Sequence, residues 1–356
     1  MHTHLMSAIC LILVLSFRTS AQDLIPVNPT SEQDSLFKAA IALYDQGAYD
    51  DAVRIYASIL EKNPAFVAAI AELSLTYNAA QKYEYAVATA LKGLKFKSGY
   101  RADLYLNLGN AYDMLGRTDE AIDAYRIGLA LIPNSYLLHY NLGLTFMRSN
   151  RPDSARIHLQ SALRSKPSHA SSNLALGTLY RSLGKRIPAV FAYSRFLIIE
   201  PNSARSASTA ALLRSLLSDS MSIKQSNPGE MTVLVSPDSD GIDGDVTSLG
   251  ISLAMTQASR LTKDSAFDSY LASLAADLSS FFQITSEIIA HERGSGFIWN
   301  YYAPYFAELH SRGFTDIAVR LMFRSTDKEE ALDFLRTRVD AIENFKSWNA
   351  TYDWTQ

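Results

Sequence analysis

Histidines, a glycine–serine pair and an acidic run are the residues whose types are suited to chemistry in this chain. Beyond residue 21 the histidines are His139, His158, His169, His291 and His310. No two of them stand at the spacing of metal ligands, and His291-Glu292 lacks the second histidine three residues later that a zinc protease needs. Gly294-Ser295-Gly296 lacks the outer glycine spacing of a nucleophile elbow and is typical of a turn between helices. We therefore predict no catalytic residue, no metal ion and no cofactor.

The acidic run Asp238 to Asp245 contains four carboxylates and two glycines, and carboxylate oxygens are ligands that calcium prefers. Its register is poor for a calcium loop, because Ser236 takes the first ligand place and Thr247 the place of the closing glutamate. The favoured interpretation is a solvated turn that caps the next helix, with calcium binding as the alternative.

A dense aromatic cluster follows these residues, and its members are Phe297, Trp299, Tyr301, Tyr302, Tyr305 and Phe306. Such rings would suit a platform for a glycan or a peptide. However, Trp299, Tyr302 and Phe306 recur at helical spacing, which favours packing in a core.

The first 21 residues have the pattern of a secretory signal peptide. An apolar stretch runs from Leu5 to Phe17, and Thr19-Ser20-Ala21 supplies small residues at the cleavage site. A membrane anchor is the alternative, but a bilayer core needs about twenty apolar residues. Cys10, the single cysteine, lies inside this stretch, so the mature chain has no thiol for catalysis or disulfides. We predict cleavage after Ala21 and a periplasmic or secreted protein.

Composition narrows the class of partner. The chain has 356 residues, 33 basic against 36 acidic, and a formal net charge of -3. This balance gives no general attraction to a phosphate backbone, so we predict no nucleic-acid partner. We also predict that the chain is not an integral membrane protein.

Small residues recur with a fixed period in the first half. The alanines Ala52, Ala86, Ala121, Ala155 and Ala189 stand 34 or 35 residues apart, and Gly109, Gly143 and Gly177 share a second register. A fixed period of this length marks stacked units that each need a neighbour to cover an apolar face. Prolines at 64, 133, 167 and 201 end four of the five copies.

The third copy resembles a tetratricopeptide repeat in the motif Leu108-Gly109-x-x-Tyr112 and in Gly116, Ala121, Tyr125, Leu129 and Pro133. The resemblance covers residues 33 to 201, and in each copy the alanine above is position 20. It implies an all-α solenoid of five helix-turn-helix repeats with a capping helix. Small residues at positions 8 and 20 let the two helices of a repeat approach closely.

The domain boundaries follow from where the period holds. We predict a signal peptide at 1–21, an N-terminal segment at 22–32, repeats with their capping helix at 33–222, a polar linker at 223–230 and a C-terminal domain at 231–356. The apolar periodicity of the last domain predicts a mainly helical fold, with one possible short strand at Met231–Val235. No family is assigned to this half.

The resemblance also implies a binding groove lined by positions 5, 9, 12 and 13 of the first helices. The predicted groove residues are Phe37, Ile41, Leu75, Leu106, Asn110, Tyr140, Leu144, Met147 and Leu174. Apolar residues replace the lysine, asparagine and arginine with which chaperone-binding relatives hold a terminal carboxylate. The lining therefore predicts an apolar peptide or helix of a partner protein as the ligand.

Two alternatives stay open at this point. The groove would be self-occupied if residues 23–30 or the C-terminal domain lay in it. The chain would instead be an enzyme or a ligand-binding protein if polar side chains converged in a pocket of the C-terminal domain.

Overall fold

The computed structural model describes residues 24–218, 222–227, 230–234, 243–262, 269–291 and 294–355. The predicted signal peptide and the first part of the acidic run, 238–242, lie outside the described residues. The chain divides into two compact units between Leu108 and Gly109, inside a helix. The second unit therefore joins the last part of the third repeat and the two repeats after it to the C-terminal residues.

Five helix pairs occur where the period predicts them. Copy one is α1 (Ser31–Asp45) and α2 (Tyr49–Lys62), copy two α3 (Val67–Ala79) and α4 (Tyr83–Gly93), copy three α5 (Arg101–Met114) and α6 (Thr118–Leu131), copy four α7 (Tyr136–Arg148) and α8 (Pro152–Ser165), copy five α9 (Ala170–Ser182) and α10 (Arg186–Ile199). The capping helix is α11 (Ala204–Ser218). The repeat fold and its capping helix are thus confirmed.

The predicted small residues lie where the two helices of a repeat meet. All five position-20 alanines are fully buried. A methyl group on Gly143 would stand 2.9 Å from Leu159, and one on Gly177 would stand 2.6 Å from Tyr193. Copy two has Ser74 at this position, and its hydroxyl donates a 3.0 Å hydrogen bond to the Ala86 carbonyl. Close helix approach explains the residue size at these positions.

The C-terminal residues form a hairpin followed by helices. Its elements are β1 (Ser222–Asn227), β2 (Glu230–Leu234), α12 (Thr247–Thr262), α13 (Tyr270–His291), a π-helical turn (Ile298–Tyr302), α14 (Ala303–Ser311), α15 (Thr315–Met322), α16 (Lys328–Arg336) and α17 (Val339–Thr351). The mainly helical fold is confirmed. Among the described helices, none is long and apolar enough to cross a membrane.

One detail differs from the sequence predictions. The predicted linker 223–230 is largely strand, because β1 pairs antiparallel with β2 and Ile223 lies opposite Val233. Backbone hydrogen bonds between strands do not require apolar side chains, so a polar composition hides such a pair. There are accordingly two strands in the described residues instead of one.

Helix α10 differs from the second helices of the other repeats. Every side chain from Ile187 to Ile198 is buried. A helix that is apolar on all sides is covered on all sides. Here α9 and α11 cover one part, and the C-terminal elements α12, α15 and the π-helical turn cover the rest.

Candidate partner-binding surfaces

The predicted binding positions of the first unit lie on α1, α3 and α5. Phe37, Ile41, Leu75 and Leu106 are all partly buried. The Phe37 ring stands 5.9 Å from the Tyr56 ring, edge to face, so it contributes to the core of copy one while part of it stays accessible. These side chains offer apolar surface on the first helices of the first unit.

The predicted positions of the second unit behave in the same way. The residues are Asn110, Tyr140, Leu144, Met147 and Leu174, and each is partly buried. The Asn110 side-chain oxygen accepts a 2.7 Å hydrogen bond from the Tyr125 hydroxyl, and the Tyr140 ring stands 5.0 Å from His169. Their partial exposure contrasts with the fully buried position-20 alanines.

The described part of the N-terminal segment binds the loops between repeats. The Leu24 amide donates to the Lys95 carbonyl at 2.8 Å, and the Val27 amide donates to the Ala65 carbonyl at 3.0 Å. Residues of this segment and Phe37 line one cavity of about 430 Å³. The segment therefore lies across the loops that follow α2 and α4, and Phe37 is the predicted position that borders it.

The C-terminal half binds the second helices of copies four and five. Arg156 and Gln160 on α8 donate hydrogen bonds of 3.0 and 2.5 Å to one carboxylate oxygen of Asp243. The Tyr301 hydroxyl donates to the Leu163 carbonyl at 3.1 Å. Because Arg156 and Asp243 are each only 3 % exposed, this is a buried ion pair.

Aromatic rings complete this contact at α10. The Phe191 ring stands 5.3 Å from Phe281 and 5.4 Å from Phe306, and Arg195 donates a 2.8 Å hydrogen bond to the Tyr305 hydroxyl. All six rings of the predicted aromatic cluster are buried. They belong to the core, as the helical spacing predicted, and they do not form a binding platform.

The acidic run divides into two parts with different roles. Hydrogen bonds from the Thr247 hydroxyl and then from the Thr247 amide, the latter 2.9 Å long, lower the pKa of the Asp245 carboxyl. The amide contact caps α12 as the turn interpretation predicts. Asp243 is buried against the repeats instead of solvated, and that part of the interpretation is wrong. Within the described ranges, no three His, Cys, Asp or Glu residues stand close enough to hold a metal ion.

Three carboxylates lie on the first helices of the first unit, and only one of them stands at a groove position. Asp45 on α1 and Asp103 on α5 are exposed, and Glu72 on α3 is partly buried. Burial, followed by the charges of Asp103 and Asp45, raises the pKa of the Glu72 carboxyl. Asp45 stands at a groove position, whereas Glu72 and Asp103 stand at positions 6 and 2 of their repeats. Their negative charge was the feature of the sequence that could have identified them.

A second cavity, of about 390 Å³, lies between α13, α14 and α15. Its polar lining includes Ser279, His310, Thr315, Asp316 and Arg320. The Ser279 hydroxyl stands 3.3 Å from His310 Nδ1, while the Asp316 carboxylate accepts a 2.6 Å hydrogen bond from Arg320. Convergence of polar side chains in this half is the feature that the ligand-binding alternative required.

Comparisons with known proteins extend these observations. Sequence profiles described as tetratricopeptide repeat match residues 34–65, 102–135 and 140–185. No curated protein has a matching sequence.

Several solved structures match part of this chain. TTC0263, a thermophilic protein from Thermus thermophilus, is 21 % identical over 52 % of this chain and 98 % of its own, with a TM-score of 0.45. PilF of Pseudomonas aeruginosa is 20 % identical over 56 % of this chain and 93 % of its own, with a TM-score of 0.42. MamA is 25 % identical over 45 % of this chain and 94 % of its own, with a TM-score of 0.40. Because three profiles match and five helix pairs keep the period, the chain contains tetratricopeptide repeats, at residues 34–65, 102–135 and 140–185.

Proposed function

We propose that the chain is an exported scaffold that binds an apolar peptide or helix of a partner protein through the first helices of its repeats. The observation that supports this most directly is a contrast in unit two. There the C-terminal helices cover the second helices of copies four and five, whereas Tyr140, Leu144, Met147 and Leu174 on the first helices stay partly exposed. The proposal assigns binding and no catalytic step to the chain.

The side-chain chemistry fits a partner with an apolar face. Leucines and a phenylalanine supply area that becomes buried on binding, at about 25 cal/mol per Å². Met147 adapts to different shapes because its side chain is unbranched and polarisable. Such a surface suits a helix or an extended peptide better than a charged terminus.

Site-specific photocrosslinking tests this proposal in the native host. A photoreactive amino acid at Leu75 or at Leu144 should crosslink a partner protein, because both side chains reach the proposed surface. The same amino acid at Ile157, an exposed apolar position on the second helix α8, is the matched control. Crosslinks from Ile157 alone would place the binding surface elsewhere.

Charge substitutions give an independent measurement. Leu75→Glu and Leu144→Glu should each preserve the helical circular dichroism signal and weaken capture of the crosslinked partner, because an unpaired carboxylate is costly to bury against an apolar ligand. Ile157→Glu should leave capture unchanged. Unfolding of either leucine variant would show that the leucine belongs to the core.

Export is a separate part of the proposal, based on the apolar stretch Leu5 to Phe17 and the small residues that end at Ala21. N-terminal sequencing of the protein from its native host should find Gln22 as the first residue. An intact Met1 on protein from the cytoplasm would contradict it.

A second candidate function is the binding of a small anion in the cavity between α13, α14 and α15. The Thr315 hydroxyl and the Arg320 Nε have no hydrogen-bond partner among the described residues, although both side chains are over nine-tenths buried. Thr315 is also the first residue of α15, where free backbone amides favour an anion. Acyl transfer by Ser279 and His310 is less favoured. In the described chain the Asp316 carboxylate pairs with Arg320 and not with His310, so it does not orient the imidazole.

Inorganic phosphate is a suitable probe for this cavity. Phosphate should raise the melting temperature of the wild-type protein and should have no effect on Arg320→Met. Arg336→Met, at an exposed arginine paired with Asp333, is the control and should respond as the wild type does. Equal responses of all three proteins would exclude the cavity as the phosphate site.

A further inference from the structure

The cavity between α13, α14 and α15 carries charges of both signs. Its volume of about 390 Å³ lies within the range of about 300 to 1,000 Å³ that sites for small organic molecules occupy. Arg320 and Asp316 stand on successive turns of α15 and form an ion pair, in which Nη1 lies 2.6 Å from Oδ1. The lining therefore offers a cationic and an anionic group side by side.

Two hydrogen-bond donors of this cavity have no acceptor in the described chain. They are the Thr315 hydroxyl and the Arg320 Nε, and the two residues are only 5 % and 6 % exposed. The Arg320 guanidinium stacks on the Phe334 ring, with 4.1 Å from its carbon to the ring centroid. Helix α15 also begins without a side-chain cap, so its first backbone amides add donors. Because a buried donor without an acceptor costs free energy, these groups favour a ligand that brings oxygen atoms.

Asp316 adds an acceptor that the fold does not use. Its Oδ1 accepts the hydrogen bond from Arg320, whereas Oδ2 has no partner among the described residues. The side chain is 59 % exposed and lines the cavity, so a ligand can reach it. A purely anionic ligand would be repelled by this carboxylate, while a ligand that also carries a cation would be attracted. The charges of the lining therefore favour a zwitterion.

Alanines of α13 supply the apolar part of the lining. Ala272, Ala275 and Ala276 all border the cavity, and their spacing of three and four residues places them on one face of the helix. Their methyl groups are small, so they leave space that longer side chains would fill. An apolar group of the ligand can be buried against this face.

We propose that this cavity binds a free α-amino acid with an apolar side chain. The ligand carboxylate accepts hydrogen bonds from the Thr315 hydroxyl and the Arg320 Nε, and the ligand ammonium group donates to Asp316 Oδ2. The ligand side chain packs against the alanines of α13. The inference rests on the second candidate function, the anion site, and specifies its ligand as a zwitterion.

The chemistry favours a free amino acid over the terminus of a peptide. A C-terminal residue brings a carboxylate without an ammonium group on the same carbon, and an N-terminal residue brings the reverse. The first would leave Asp316 without a ligand group, and the second would leave the two buried donors without an acceptor. A free amino acid supplies both charges.

Isothermal titration of the intact protein with three probes tests the inference. L-Alanine carries both charges, N-acetyl-L-alanine keeps the carboxylate alone, and L-alaninamide keeps the ammonium group alone. L-Alanine should bind at least about tenfold more tightly than either analogue, because each analogue loses a charge-assisted hydrogen bond. Equal affinities for L-alanine and N-acetyl-L-alanine would overturn the inference.

Substitution of Asp316 tests the ammonium contact. Asp316→Asn should weaken L-alanine binding by about tenfold and should not weaken N-acetyl-L-alanine, which has no cation. The matched control is Asp333→Asn, because Asp333 is an exposed aspartate that also pairs with an arginine on its own helix. Asp333→Asn should keep the wild-type affinities for all three probes.

Substitution of Thr315 tests the carboxylate contact. Thr315→Val keeps the shape of the side chain and should weaken L-alanine and N-acetyl-L-alanine by about fivefold each. Because the hydroxyl bonds to no described residue, the melting temperature of the unliganded variant should stay at the wild-type value. Unchanged affinities in this variant would contradict the assigned carboxylate position.

The outcomes separate this inference from the anion site on which it rests. If phosphate and N-acetyl-L-alanine bind, Arg320→Met abolishes both, and L-alanine binds no more tightly, the anion site stands and the amino-acid assignment is wrong. If neither phosphate nor any of the three probes binds, the anion site and this inference are both wrong. L-Alanine binding that Asp316→Asn and Thr315→Val leave unchanged would place the ligand elsewhere and overturn the inference.

Discussion

Two histidines meet where the helices of copy four pack together. His139 Nδ1 and His158 Nδ1 stand 2.9 Å apart, so one ring nitrogen donates to the other and at least one ring is neutral at this contact. Burial, followed by the charges of His139 and Arg126, lowers the pKa of His158 to about 4. The other ring nitrogen of His139 stands 3.0 Å from the Pro133 carbonyl, so both nitrogens of this ring have a partner in the repeat.

This pair predicts a pH dependence of stability. Because the folded pKa of His158 is below the ordinary value of 6.5, its stabilising contribution is present above about pH 6.5 and is lost as the pH falls toward 4. With allowance for solvent screening, His158→Phe should reduce the loss in the free energy of unfolding at low pH by about 1 to 2 kcal/mol. Urea unfolding at several pH values measures it. An equal loss of stability at low pH in the wild type and in His158→Phe would contradict this assignment.

At the scale of elements, the spacing of small residues determines how closely two helices pack. Ala121 is fully buried in α6, and a methyl group on the neighbouring Gly109 would collide with the Tyr125 ring. Larger residues at these positions would separate the helices or distort their side chains. The period of small residues in the sequence therefore follows from the repeated contacts between helices.

Replacement of Ala121 by leucine should therefore overpack copy three. We expect a loss of about 1 to 3 kcal/mol in the free energy of unfolding. Ala130→Leu makes the same change at a position of α6 outside the buried core and should cost little. Chemical denaturation of the two variants distinguishes them, and equal stabilities would contradict the packing assignment of Ala121.

Glycines determine a second close contact, in the C-terminal half. Gly244 and Gly296 have φ angles of 100° and 104°, which favour glycine. A methyl group on Gly296 would also collide with the backbone of Asp243. Gly294-Ser295-Gly296 is therefore more than a turn between helices, because Gly296 allows two chain segments to pack against each other.

At the scale of the second unit, the C-terminal half and copies four and five share one core. Asp243 approaches Arg156 and Gln160 from a segment more than eighty residues away in sequence. Removal of either charged group should be costly, because the other would lose a buried ion-pair partner at 3.0 Å.

Arg156→Ala should accordingly destabilise the second unit by about 3 to 5 kcal/mol. Hydrogen exchange should show lost protection in α8, in the π-helical turn and in α14. The control is Arg151→Ala, since Arg151 is exposed and stands 3.8 Å from the exposed Asp119. If the C-terminal residues kept full protection in Arg156→Ala, the ion pair would not hold this half to the repeats.

The sequence by itself determined the repeats, because each copy carries its own signals: small residues at helix contacts, turn glycines and terminal prolines act over a few residues. It also identified the aromatic cluster as core, since helical spacing is local. Only the tertiary structure decided that Asp243 is buried against Arg156 and that α10 is covered on all sides. Those contacts join residues from different helices, and no local pattern records which distant side chain becomes a neighbour.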